Sequence, residues 1–444
     1  MRPAPQRLPI RWRIFGLLFV MGLLAYLQQK SLSVAAERII PELHFSQMQI
    51  GWLMQAFVIG YAIFQLPGGV LGQRFGARST FTAIGMLAVV AIGATALAPQ
   101  LLAGMTLFAM LFAMQLMLGV AQGPIFPVTT GVLETWFEPR RWSLVQGLST
   151  AGLGLGAALA PPFIGVLMIT IGWQQALLWT ALPAIPLYLL WVWYGRNSPR
   201  EHRSVSEQEL ARLAHGSGDQ VNDRVALRDV WRMAIDRHVL LLTFSYFSMN
   251  YVFYLLSNWC FLYLVQERHF SVLESGWLAT APPLAAAVGA GIGGIAGSAL
   301  FDRFGSRVGL RLVPLVALPA AGLLLLVAVH AASAYVAIGL LALCFGVVEL
   351  TEGSYWAAAM TIGRSNTMAV GGIMNTGGNL GGIVGIPIVA YLSGHGAWNT
   401  AFLVGTAFAL ASAAAWLFID AGHTVAPQER PDQPGAASVA PAPR

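Results

Sequence analysis

Two glutamates, Glu349 and Glu352, stand three residues apart in an otherwise apolar run. At helical spacing they share a face on adjacent turns. Burial and a neighbouring like charge both disfavour the ionised form of a carboxylate. A pair so placed can therefore hold a proton and release it when its surroundings change. Lys30, the sole lysine of the chain, follows Gln28 and Gln29 in another apolar stretch. Gln115 and Gln122 are seven apart, on one helix face. Asn250, Tyr254 and Asn258 recur at every fourth position, flanked by Tyr246, Tyr251 and Trp259, and Asn375 and Asn379 repeat that spacing. Gln55, Tyr61 and Gln65 rank lower. The chemistry these residues offer is recognition and proton exchange. Lys30 can attract an anion, the amides and phenols can bind hydroxyls or carboxylates, and Glu349 or Glu352 can carry a proton. Each has a plainer alternative: Lys30 can snorkel to an interface, the glutamines can tie helix to helix, and the glutamates can form a packing lock.

Bond-making chemistry has no comparable support. The spans contain no Gly-rich phosphate loop, no clustered metal ligands and no Ser/His/Asp grouping, so neither an enzyme, a metal nor a cofactor is expected. The 8 histidines fall in loops or at span ends, and His202 and His215 are expected to be solvated. Cys260 and Cys344 lie in apolar runs and serve packing.

The elements that must position these groups follow from composition. The chain has 444 residues, of which 57% are hydrophobic and only 10% charged, with mean hydropathy +0.66. Too few charges are present to cover a soluble surface of that size, which excludes a cytosolic enzyme, a nucleic-acid binder and a disordered chain. About 20 mainly apolar residues cross a bilayer as a helix. Such runs predict twelve spans, over 12–36, 48–73, 77–98, 101–131, 142–168, 173–195, 238–265, 274–301, 307–330, 333–361, 366–393 and 397–419. Ser46 with Gln49 and Ser271 with Glu274 have capping-box spacing. The first span is too long for a cleavable signal peptide and no small-residue cleavage site follows it. At bilayer depth each ionisable side chain costs at least about 2.5–3.5 kcal/mol, so Lys30, Glu349 and Glu352 each need a reason to be there.

Orientation follows from the basic residues. With the N-terminus inside, 22 of the 25 basic residues fall in cytoplasmic segments, and only Lys30, Arg38 and Arg268 do not. Both termini are then cytoplasmic. A single long polar segment, 196–237, divides six spans from six. The expected organisation is an N-terminal bundle over 1–195, that central loop, a C-terminal bundle over 238–419, and a disordered tail over 420–444. Within the loop, Ser204 and Glu207 predict a capped helix over 204–214. The halves echo each other. Gln73-Arg74-Phe75-Gly76-Ala77-Arg78 answers Asp302-Arg303-Phe304-Gly305-Ser306-Arg307, and Trp173 answers Trp398. Gly-rich stretches from Gly152 to Pro162 and Gly371 to Pro387 also correspond. A duplicated six-helix unit places its binding site near the midplane between repeats. Gly68, Gly69 and Gly72 allow close packing, and Arg74, Arg78, Arg303 and Arg307, with Asp302, are candidate gating groups that meet helix ends and carboxylates.

The twelve spans, the central loop and the R-F-G-x-R turns resemble the major facilitator superfamily. Within it, Tyr26 to Ala35, Gln65-Leu66-Pro67-Gly68-Gly69, Gly119 to Pro127, Trp136-Phe137 and Gly371 to Pro387 resemble the anion:cation symporter family of sugar-acid and organic-anion transporters. The resemblance implies an all-α membrane protein of two six-helix bundles, with helices 1, 4, 7 and 10 lining a central cavity. It implies a monomeric, proton-coupled, alternating-access symporter in the cytoplasmic membrane, without nucleic-acid partners. Asn375 matches a substrate-side Asn of that family. Charges that such relatives carry are replaced here by Gln28, Gln29, Gln115 and Gln122, so their roles do not transfer. Gln73 likewise stands where an Asp is usual, which weakens an Asp-type latch in the first half. The charge loss keeps open a uniporter or exporter of a neutral or cationic solute, and a solute sensor is a further alternative.

Overall fold

A computed structural model describes residues 9–213, 227–270, 278 and 280–425. Among them no strand occurs, and the helices are apolar enough to cross a membrane in ten continuous stretches. Two of these are double: Ala281–His330 has 50 residues and Ala334–Gly394 has 61, each long enough to cross twice at about 1.5 Å per residue. Twelve spans result. We label them α1 (Ile10–Leu43), α2 (Gln47–Phe75), α3 (Ala77–Leu97), α4 (Gly104–Gln122, resuming as Ile125–Trp136), α5 (Trp142–Ile171) and α6 (Trp173–Ala181, resuming as Ala184–Tyr194). The second set is α7 (Arg237–Gln266), α8 and α9 (the two arms of Ala281–His330), α10 (Ala334–Glu349, resuming as Glu352–Gly363), α11 (Thr367–Gly394) and α12 (Trp398–Trp416).

Local chemistry explains the joints. Ser46 and Gln49 form the expected capping box at α2; the one expected at Ser271 and Glu274 lies outside the described residues. Gly76 and Gly305 occupy matching turns with φ of 82° and 76°, a region that only glycine enters without steric cost. These two residues turn α2 into α3 and α8 into α9. Inside α4 the chain kinks at Gly123-Pro124, where Pro124 has no N–H to donate. Inside α10 it kinks at Leu350-Thr351, where Thr351 N bonds the Val348 carbonyl at 3.1 Å. The sequence reading had both spans continuous. The two kinks lie 227 residues apart, close to the 229 that separate the two turns.

The central segment differs from expectation at two points. The helix there is Glu207–Leu213, and its start is capped by Ser206, which accepts from Glu209 N at 3.2 Å, rather than by Ser204. Glu209 in turn caps the bare start of α1, accepting from Arg11 N at 3.2 Å. His202 is not solvated. It is buried with its ring edge-on to Tyr194 at 4.7 Å and to Trp136 at 6.0 Å. His215 lies outside the described residues. A second short helix, Leu227–Ile235, buries Val230 and Met233 and leads into α7, whose first turn is capped by Asp236.

Burial and the nearby Arg196 guanidinium lower the pKa of His202 below its ordinary value. The unfolded segment therefore binds the proton first, and the anchoring contribution is lost as pH falls through about 6.5. Amide exchange across 196–206 should accelerate between pH 7.5 and pH 5.5. In His202→Phe that pH dependence should vanish.

Candidate functional site

The two bundles meet at the end that carries the Arg-rich turns. There α2 packs against α11 and α5 against α8. Contact is close enough to need glycine. A Cβ on Gly69 would lie 2.4 Å from the Met368 carbonyl oxygen, and one on Gly147 would lie 2.4 Å from that of Ala290. Polar latches join the same end at repeat-related positions. Gln73 donates to the Ser365 carbonyl and to Asn366 Oδ1, the latter at 3.1 Å. Asp302 pairs with Arg140 at 3.9 Å. An amide thus latches one side where a carboxylate latches the other. Arg78 caps a helix end as expected, donating to the Val192 carbonyl, and Arg307 pairs with Asp420 beyond α12. Among the described residues, Arg74 and Arg303 do not meet carboxylates. Both are exposed and lie over the rings of Phe75 and Phe304, their next neighbours in the chain.

Farther along the same faces the packing gives way. Val58, Gln55 and Gly51 on α2, Pro161 on α5, and Ile383 and Ile386 on α11 are exposed. The bundles therefore part as a wedge that opens away from the Arg-rich turns.

At the apex of this wedge the scarce polar groups collect. Glu352 opens the second segment of α10 and accepts from Tyr246 Oη at 3.0 Å and from Trp356 Nε1 at 2.8 Å. Glu349 closes the first segment, is 4% exposed, and its Oε1 has no hydrogen-bond partner. Trp356 stacks on Phe126 of α4, with ring centroids 5.4 Å apart, and so bridges the bundles. Asn375 donates to Gln65 Oε1 at 2.7 Å, a second bridge, from α11 to α2. Tyr254 donates to Asn379 at 2.9 Å. Tyr26 on α1 is within electrostatic reach of Tyr61, Tyr254, Glu349 and Glu352. Lys30 stands one turn beyond Tyr26 on the same face. It is exposed.

The other expected residues are placed less directly. Gln122 donates to Gln28 at 3.3 Å, and Gln28 to the Thr180 carbonyl at 3.0 Å, so this pair ties α4, α1 and α6 together. Gln115 is buried on the same face of α4, and Gln29 is half-buried. Asn250 donates to the carbonyl of Tyr246 in its own helix. The glutamates are separated by a kink instead of sharing a continuous helix. Tyr26, Phe126 and Trp356 were not singled out from the sequence. The legible signal was for Tyr26 alone, four residues before Lys30.

Fold and site together define an all-helical membrane transporter of two repeated bundles. Residues 18–369 match the model of the Major Facilitator Superfamily. The chain belongs to that superfamily, whose members transport and are not enzymes. It is 28% identical to a "Probable sulfoacetate transporter" of Cupriavidus necator over 96% of this chain and 97% of the relative. It is 26% identical to a hexuronate transporter of Bacillus subtilis over 88% and 90%. In fold it is similar to a proton:xylose symporter, with TM-score 0.73 and 14% identity over 92% of this chain and 96% of that one.

The Gly69 contact yields a test of the seal. Gly69→Val must displace the Met368 backbone or part the bundles. Spin labels at Ser79 and Arg303 in the full-length protein should report longer distances in the variant. An unchanged distribution would show that the seal tolerates the added bulk.

Proposed function

We propose that the protein is a secondary active transporter that moves a small polar organic anion, of the sugar-acid or short organic-acid kind, together with a proton. It works as a monomer by alternating access in the cytoplasmic membrane, with both termini cytoplasmic. The observation that carries this reading is the pair of buried carboxylates at the α10 kink, within electrostatic reach of Tyr26, which lies one turn before Lys30 on α1. In the proposed cycle the Arg-rich end is the cytoplasmic seal, and the wedge admits solute from the opposite side. The anionic group settles at Lys30. One of Glu349 and Glu352 already holds a proton and the other takes up the transported one, which removes the negative charge that would repel the arriving anion. Gln28, Gln29, Gln115, Gln122, Asn250, Tyr254 and Asn375 contribute neutral hydrogen bonds to the solute or to the walls that hold it. Opening of the other end exposes the glutamates to cytoplasmic water, where proton and solute leave. Arg74, Arg78, Asp302, Arg303 and Arg307 exchange partners as the seal parts. The similarity to a sulfoacetate and a hexuronate transporter supports an anionic solute.

The tie among Gln28, Gln122 and Thr180 supports a second reading, a uniporter or exporter of a neutral or cationic solute, because it fills these positions on α1 and α4 with neutral amides. Flux independent of anionic substrates would favour it.

In proteoliposomes, Glu352→Gln should abolish accumulation driven by a pH gradient while leaving counterflow exchange intact. Persistence of both would remove Glu352 from the coupling step. Lys30→Gln should weaken binding of the transported anion about tenfold or more, given that a hydrogen bond to a charged group contributes about 1.5–3 kcal/mol.

A further inference from the structure

The charge inventory of the wedge narrows the solute further, resting on the organic-anion reading above. Among the described residues, Lys30 is the one cation near the apex. Arg11 and Arg13 belong to the opposite end of α1, and Arg38 lies two turns beyond Lys30 toward the open end. Arg268 is committed to the Tyr263 hydroxyl and to the carbonyls of Ala328, Val329 and Ala331. Arg74, Arg78, Arg140, Arg303 and Arg307 all lie at the sealed end.

A second cation has no seat in what remains. On the N-terminal wall the other deep polar groups are amides and the phenols of Tyr26 and Tyr61, and two of the amides are engaged with each other and with Thr180. On the C-terminal wall they are Asn375, Asn379, Tyr246, Tyr254 and the two glutamates. The single Glu349 oxygen without a partner is an acceptor when ionised, and it repels a carboxylate or sulfonate brought against it.

We propose that the site selects a monoanion: one carboxylate or sulfonate, held at Lys30, on a short skeleton whose remaining polar groups are neutral hydroxyls. Those hydroxyls meet Tyr61, Gln65, Tyr254 and Asn375, all of which offer neutral donors or acceptors. With both glutamates protonated, Lys30 and a monoanion sum to neutrality. A dianion leaves one negative charge buried without a counter-charge, a costly arrangement in a medium of low dielectric. Selectivity then comes from what the site lacks as much as from what it binds. The two curated relatives fall on opposite sides of this division, since a hexuronate has one acidic group and sulfoacetate has two.

The test uses the purified full-length protein in nanodiscs and two matched pairs of probes, each differing by one anionic group: galacturonate with galactarate, and 2-hydroxyethanesulfonate with sulfoacetate. Calorimetry near neutral pH should show the monoanion of at least one pair binding tenfold or more tightly than its dianion. Gln122→Lys, which adds a cation to the N-terminal wall, should narrow that ratio by strengthening the dianion. Should this variant fail to fold, the comparison in the unaltered protein decides alone. A dianion that binds as tightly as its partner, or more tightly, overturns the monoanion assignment and leaves the organic-anion reading standing. Failure of all four probes to bind overturns both.

Discussion

Two carboxylates buried in a membrane-spanning helix constrain everything packed around them. Lipid offers no hydrogen bonds and no counter-charge, so their solvation must come from protein. Glu352 obtains it from Tyr246 of α7 and from Trp356 one turn along its own segment. Tyr246 in turn packs edge-on against Tyr355, with centroids 5.0 Å apart, and Tyr355 bonds to Ser245 and Ser412 at the back of the bundle. Trp356 stacks on Phe126 across the divide. A single ionisable group is thereby wired to α7, α12 and the opposite bundle. Any change in its protonation must be felt at the interface on which the fold turns.

That interface is held in two different ways. Glycine-to-backbone approaches at Gly69 and Gly147 make one end close tightly or not at all. Around these approaches lie polar bonds that water can replace when the end opens: Gln73 to Ser365 and Asn366, and Arg140 to Asp302. The exposed Arg140–Asp302 pair contributes little net free energy. The seal can therefore be specific in register without being too stable to break, which a carrier that visits two states requires.

Much of the fold was legible in the sequence because it follows from averages over long windows. Hydropathy fixes spans, and the repeated R-F-G-x-R turns fix the duplication. The kinks were less visible. Gly123-Pro124 carries a breaker that could have been read, but Leu350-Thr351 carries none. Its distortion arises where Gly293 of α8 packs against the Leu350 carbonyl, so close that a Cβ there would lie 2.0 Å away. The site was legible as types of residue and not as pairs. Gln65 and Asn375 are 310 residues apart in the chain, and only bundle docking brings them to 2.7 Å. His202 was misread for the related reason that a polar residue in a polar segment says nothing about the aromatic wall that receives it.

The duplication also shows where the halves have diverged in chemistry. Gln122 ends the first segment of α4 and Glu349 ends the first segment of α10, at repeat-related positions 227 residues apart. One is an amide whose bonds stay within its own bundle; the other is an acid with an oxygen free. A symmetric pair of acids would face each other across the wedge and repel. With the acid confined to one wall, the other is free to hold a cation, and Lys30 stands there. In the proposed cycle the glutamates are protonated when the anion reaches Lys30, so the bound chamber is neutral where the empty one is not. In the function proposed above, this uneven replacement of charge would let one repeat hold the solute while the other answers to the proton.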